Sequence, residues 1–165
     1  MSRRAAARLE SMGFHRVFAY VPGKADWMAY GLPVERGPKM PPMVGDLINR
    51  DVPRCRAGDS IEAARQAAYA MGMDVCPVVN DEGVLVGLCT RNTLHAHPSI
   101  AVDIVMEPGP ITARPSMPVK EALEILERKK SRTLIVTTPD GRLLGCFDRR
   151  AAITVTRGDA RSLPA

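Results

Sequence analysis

Residues 61–91 align on residues 119–149 at a constant offset of 58 with no gap. Ala64 falls on Ala122, Val78 on Val136, Gly83 on Gly141, Leu85 on Leu143, Gly87 on Gly145 and Arg91 on Arg149. Apolar character also matches where identity does not. Ungapped register through a helix-like stretch, two apolar runs and a Gly-bearing turn is not expected of two unrelated segments. The period is that of a small supersecondary unit, too long for a short solenoid repeat.

Each copy reads as βαββα, which places the chain in the α/β (α+β) class. In the first, Asp59 and Ser60 are N-cap candidates, with Glu62 placed to close a capping box on Asp59. Ile61, Ala64, Ala68 and Met71 recur at helical spacing, and Gly72 supplies the stop. Residues 75–79 form a short apolar strand, Asn80 to Gly83 a turn, and residues 84–89 a second strand. In the second copy Pro118 sits in the first helical turn, and Val119, Ala122, Leu123 and Leu126 make the apolar stripe. TLIVT, TPDG and RLLGCF then repeat strand, turn and strand, and a short helix follows each hairpin from Arg91 and Arg149. Two units that each expose an apolar helix face and a sheet face should pack on one another.

Composition bounds the function. Of the 165 residues 45% are apolar and only 4% aromatic, so aliphatic side chains and the nine Met must fill the interior. No run approaches the roughly 18–20 apolar residues of a membrane span. The opening MSRRAAARLESMG carries charge but no apolar signal core. Cys55, Cys76, Cys89 and Cys146 stand singly, three of them in or beside apolar runs, as buried reduced thiols do. The expected location is therefore the cytoplasm. A net charge of +5 is spread along the chain without a basic stripe, which argues against nucleic acid.

No catalytic set is present: the chain lacks G-x-S-x-G, H-E-x-x-H and the P-loop pattern. His95 and His97 are two apart, on different faces of any helix, which disfavours a shared metal. Cys89 reads as an inert strand residue, since a reactive thiol needs an accessible, electropositive setting. The expectation is a non-enzyme that requires no cofactor or metal.

The motifs GDLI, GDSIEAA and CPVVNDEGVLVG, then VDIVM, PVKEAL and LIVTTPDGRLLG, resemble a tandem CBS-domain pair, over roughly residues 43–153. The resemblance implies a disc-like regulatory module that pairs with a second copy. It also implies an inter-repeat cleft for an adenosine-containing ligand such as AMP, ATP or S-adenosylmethionine. The family's T-x-x-D contacts phosphate through the hydroxyl and ribose through the carboxylate. Here the first copy keeps Thr90 but has Thr93 for the Asp, while the second begins at Asp148 and ends at Ala151. The ligand set carried over is Thr90, Thr93, Arg132, Asp148 and Arg150, with Thr90, Arg132 and Arg150 as phosphate donors in one cleft. Asp74, equivalent to Arg132, would repel an anion. A pure dimerisation or scaffolding module with a decayed ligand site is the alternative.

Residues 1–37 resemble the carboxy-terminal third of a rhodanese domain: a helix from Arg3 to Met12, a stop at Gly13, a strand from Val17 to Tyr20 and a short helix around Trp27. Rhodaneses carry their sulfur on a Cys in the loop before that first helix. All four Cys of this chain lie in the repeats, so sulfurtransferase activity is not expected. The divisions expected are 1–37 for this fragment, 38–43 for a linker, 44–98 and 99–155 for the two repeats, and 156–165 for a flexible tail. A homodimer is expected, with Ala64, Ala67, Ala68 and Ile125 offered to the partner.

Overall fold

The computed structural model describes residues 2–18, 23–30, 32 and 41–153. In chain order the elements are α1 (Ser2–Ser11), α2 (Lys24–Ala29), a 3-10 turn (Val44–Asp46), α3 (Ile61–Ala70), β1 (Cys76–Val79), β2 (Leu85–Cys89), α4 (Arg91–Leu94), α5 (Val102–Val105), β3 (Glu107–Pro108), β4 (Thr112–Ala113), α6 (Val119–Arg128), β5 (Thr133–Thr137) and β6 (Leu143–Asp148), followed by helical residues 149–153. Two three-stranded sheets form, ordered β1-β2-β3 and β4-β5-β6.

Local chemistry accounts for these boundaries. Ser60 caps α3, its Oγ accepting from the Ala63 N–H at 3.3 Å. The expected box on Asp59 does not form: Asp59 accepts from the Arg56 N–H at 2.7 Å, and Glu62 turns to Arg65 and Gln66. Gly72 ends the helix at φ 65°, a left-handed position that glycine takes without cost. Pro118 stands one residue earlier than expected, as the N-cap of α6. The β1–β2 turn is held by Asn80, whose Oδ1 accepts from Glu82 and Val84.

The 58-residue offset governs tertiary structure as closely as it governs sequence. One core holds Cys55, Ile61, Ala64, Ala68, Cys76, Val78, Cys89, Leu94 and Val102; adding 58 to the first eight gives Ala113, Val119, Ala122, Leu126, Leu134, Val136, Phe147 and Ala152 of the other core, whose ninth member, Val44, lies 58 residues before Val102. Val44 therefore sits in the core of the second helix and sheet, and Val102 in the core of the first. Segments preceding each repeat have exchanged places. The Val44 N–H donates to Met117 O at 2.9 Å and the Val102 N–H to Asp59 O at 2.9 Å. Val119 N–H bonds Pro42 O, and Ile61 N–H bonds Ile100 O. Likewise β3 pairs with β2 through Leu88 and Glu107, and Asn49 pairs with Cys146 of β6.

A pseudo-two-fold axis passes between the hairpin turns. Val84 pairs with Arg142, its own equivalent, flanked by Leu85 N–H to Gly141 O at 3.0 Å and Leu143 N–H to Gly83 O at 2.9 Å. A third apolar cluster of Val52, Val79, Ile135, Leu143 and Cys146 seals the sheets together. The shared glycine of L-x-G exists because the exchanged segment crosses there. A Cβ on Gly145 would overlap the Asn49 carbonyl oxygen, and one on Gly87 would overlap the Met106 sulfur.

Three expectations change. Ala64 and Ala68 are fully buried against their own sheet and are not available to a partner; Ala67 and Ile125 are half-buried. Val17 and Phe18 are not in a strand, and residues 19–22 lie outside the described ones. The end of the linker is already docked, through Pro42 O and a Met43–Pro118 bridge, while residues 33–40 and the tail 156–165 lie outside the described ones. Among the described residues no helix is long and apolar enough to cross a membrane.

Candidate functional site

Two clefts lie between the repeats, related by the same axis. One, of about 650 Å³, is walled by Val75, Leu88, Ile111, Leu134 and Ile135 and carries Thr90, Asn92 and Glu107 on one side. The C-terminal end of α6 supplies Lys129, Lys130, Ser131 and Arg132 on the other. The second cleft, of about 660 Å³, carries Asn49, Met73, His95, Cys146, Asp148 and Arg150. Asp74, Arg91 and Arg132 line both. Each volume falls in the range of roughly 300–1,000 Å³ typical of small-molecule sites.

The five sequence-designated residues are not brought to one place. Thr90 shares the first cleft with Arg132, while Asp148 and Arg150 share the second with Arg132. Thr90 and Asp148 are symmetry equivalents, so the axis that makes two clefts sends Thr90 and Arg150 to different ones. Thr93 lines neither; its hydroxyl donates to Thr90 O at 3.0 Å.

The two clefts differ in charge and in which groups are engaged. In the second, the Asp148 carboxylate caps the closing helix, accepting from the Arg150 N–H at 2.7 Å and the Ala151 N–H at 3.4 Å. Asn49 is likewise engaged, its Oδ1 accepting from the Asp51 N–H at 3.0 Å. In the first, the Thr90 hydroxyl donates to Glu107 Oε1 at 3.1 Å. Four cations and two carboxylates line this cleft, against three and two in the other.

Lys130 occupies the position at which the first repeat has Gly72. It takes the same left-handed conformation, φ 51°, and is the lone non-glycine residue with positive φ among the described ones. That conformation costs an L residue roughly 1–2 kcal/mol. Neither Lys130 nor Glu107 belongs to the ligand set that the resemblance carries over. The signal for Lys130 was a lysine aligned on a helix-stop glycine.

Cys55, Cys76 and Cys89 cluster in the first core, where the second has Ala113, Leu134 and Phe147. Hydrogen bonding to Cys76 pushes the Cys55 thiol up to about 12, with burial adding to the rise; Cys89 is raised too, chiefly by its bond to Cys55. Burial pushes Cys146 up to about 12. Cys55, Cys89 and Cys146 are thereby held in the thiol form and shielded, the opposite of what a nucleophile needs. His97 is turned to its own backbone, Nδ1 accepting from the Ser99 N–H, and His95 closes α4. Among the described residues no group of metal-ligating side chains assembles.

The model of the CBS domain family matches residues 44–97 and again residues 101–158. Among curated proteins, the chain is 29% identical over 108 residues to a homoserine O-acetyltransferase of Methanococcoides burtonii, a match covering 64% of this chain and 22% of that protein. The chain spans about a fifth of the length of the curated relatives it matches. Among solved structures, a CBS-pair protein from Arabidopsis thaliana in complex with AMP superposes with TM-score 0.66 at 23% identity, over 73% of this chain and 99% of that one. A CBS domain pair in complex with 5′-methylthioadenosine and S-adenosyl-L-methionine superposes with TM-score 0.63 at 19% identity, over 71% and 97%.

Proposed function

The chain belongs to the CBS domain family, with the domain present twice in tandem, and from that premise we propose that it is a non-catalytic regulatory module sensing an adenine nucleotide or a related adenosine metabolite. The observation that carries this reading is the pair of clefts, each with apolar walls for a base and a cationic rim for phosphate. Two structures of similar fold hold AMP in one case and 5′-methylthioadenosine with S-adenosylmethionine in the other. Arg132 is the phosphate donor common to both clefts, joined by Arg150 in the second, while the one proton of the Thr90 hydroxyl in the first goes to Glu107; the guanidinium presents a planar fork to phosphate. The chain pairs with a second copy of itself through a face other than the buried Ala64 and Ala68. Residues 1–37 are read as a rhodanese-type fragment, supported by α1 and α2.

With Thr93 and Ala151 standing where the family has carboxylates, the affinity should lie at tens to hundreds of micromolar, on the scale where each 1.4 kcal/mol is about tenfold. At about 100 times Kd a ligand adds about 2.7 kcal/mol to stability, and the melting temperature should rise by roughly 5–10 °C. The test is a melting series with millimolar AMP, ADP, ATP, adenosine and S-adenosylmethionine. A phosphate-dependent rise supports sensing. The scaffold reading draws on Thr93 and Ala151 standing where the family has Asp, and it wins if every compound leaves the melting temperature unmoved.

A further inference from the structure

Resting on that reading, we propose that the first cleft alone is the nucleotide site, that Glu107 holds the ribose diol there, and that Lys130 is retained to bind phosphate. A 2′,3′-diol presents two O–H donors and is best fixed by a carboxylate, which accepts at about four lone-pair sites. The residues at which the family would place that carboxylate are Thr93 and Ala151. The exchanged strand β3 brings a different one. Glu107 lines the first cleft beside Thr90, whose hydroxyl donates to Oε1 at 3.1 Å. That bond uses one acceptor site and orients the carboxylate. At the equivalent point of the second cleft stands Asn49, an amide whose Oδ1 already accepts from the Asp51 N–H, and the nearby Asp148 carboxylate is committed to helix capping.

The phosphate end is equally one-sided. The turn after α6 reads Lys129-Lys130-Ser131-Arg132, where the turn after α3 reads Met71-Gly72-Met73-Asp74. Lys129, Lys130 and Arg132 all line the first cleft. Lys130 does so from a left-handed backbone that its counterpart fills with glycine. A residue kept against its own conformational preference at a cleft is kept for its side chain. Three adjacent cations suit a di- or triphosphate better than a monophosphate, although Asp74, across the same cleft, opposes part of the attraction.

The experiment is isothermal titration of the full chain with ATP, AMP and 2′,3′-dideoxy-ATP, repeated on Glu107→Gln, Lys130→Gly, Lys130→Arg and Arg150→Ala, with a melting curve for each. The unaltered chain should bind ATP more tightly than AMP, and ATP about tenfold more tightly than its dideoxy analogue, the discrimination expected of a charge-assisted bond. Glu107→Gln should collapse that ratio to about one. Lys130→Gly should melt no lower than the parent, because glycine suits the backbone, yet bind ATP roughly fivefold more weakly. Lys130→Arg should restore binding. If Glu107→Gln and Lys130→Gly bind as the parent does and Arg150→Ala alone loses ATP, the nucleotide lies in the second cleft and this assignment is overturned. If the parent takes up none of the three, the sensing function itself is overturned and the assignment falls with it.

Discussion

Substituting alanine for each glycine of the repeated L-x-G should give unequal results, although the sequence makes Gly87 and Gly145 equivalent. A Cβ on Gly145 would meet backbone: the Asn49 carbonyl carbon at 2.9 Å and the Arg50 Cα at 3.1 Å, with φ at 154° adding strain. Relief requires the exchanged segment to lift, which breaks Asn49 N–H to Cys146 O and Cys146 N–H to Asn49 O. Two such bonds at about 0.5–1.5 kcal/mol each, with overpacking of about 1–3, put Gly145→Ala at about 3 kcal/mol. On Gly87 the first obstacle is the Met106 sulfur, the movable end of a flexible side chain, with Glu107 O at 3.3 Å. Gly87→Ala should cost about 1 kcal/mol, the low end of overpacking. For a unit of this size the melting temperature should fall by about 12 °C for Gly145→Ala and about 4 °C for Gly87→Ala. Circular dichroism melts and urea titrations of both variants decide the matter. Equal losses, or a neutral Gly145→Ala, would refute the strand exchange from which the estimate is built.

Other expectations follow from the same asymmetries. Arg114→Ala should destabilise by about 1–3 kcal/mol, because its guanidinium bonds the buried Thr137 hydroxyl and Thr138 carbonyl, whereas Arg56→Ala, which breaks an exposed ion pair with Asp81, should cost under about 1 kcal/mol in urea unfolding. All four thiols should react with a disulfide reagent at the rate of unfolding; prompt labelling of the folded chain would contradict their burial. The folded values of Cys55 and Cys146 lie above the ordinary 9.0, so their contribution is intact below pH 9 and is lost as pH rises from there toward about 12. Stability should therefore decline from pH 9 by up to about 1.4 kcal/mol per pH unit per thiol, with a shallower slope in Cys146→Ala. Thiocyanate should not form from thiosulfate and cyanide; activity that vanished with any one Cys would overturn that.

The fold was legible because the core positions are apolar in both copies and keep one offset, from Ile61 over Val119 to Cys89 over Phe147. What could not be read was the exchange of segments. It is carried by two-residue strands and single bridges, at Glu107, Asn49, Met43 and Ala101, whose side chains share no pattern and whose pairing runs through backbone groups every residue has. The site suffered for the same reason: Glu107 enters the cleft only because β3 crosses to β2, and the axis parts Thr90 from Arg150. Ala64 and Ala68 looked like a surface for a partner because small residues pack well in either place; burial against the helix's own sheet decided it. Gly72, by contrast, is a stop in sequence and structure alike, and its counterpart Lys130 takes the same left-handed turn without glycine's freedom.

Equilibrium dialysis of the purified chain against labelled ATP tests the sensing function most directly. Saturation near one nucleotide per chain, at tens to hundreds of micromolar free ATP and displaced by AMP but far less by adenosine, is the predicted result. Retention that never exceeds the free concentration up to millimolar ATP would contradict it.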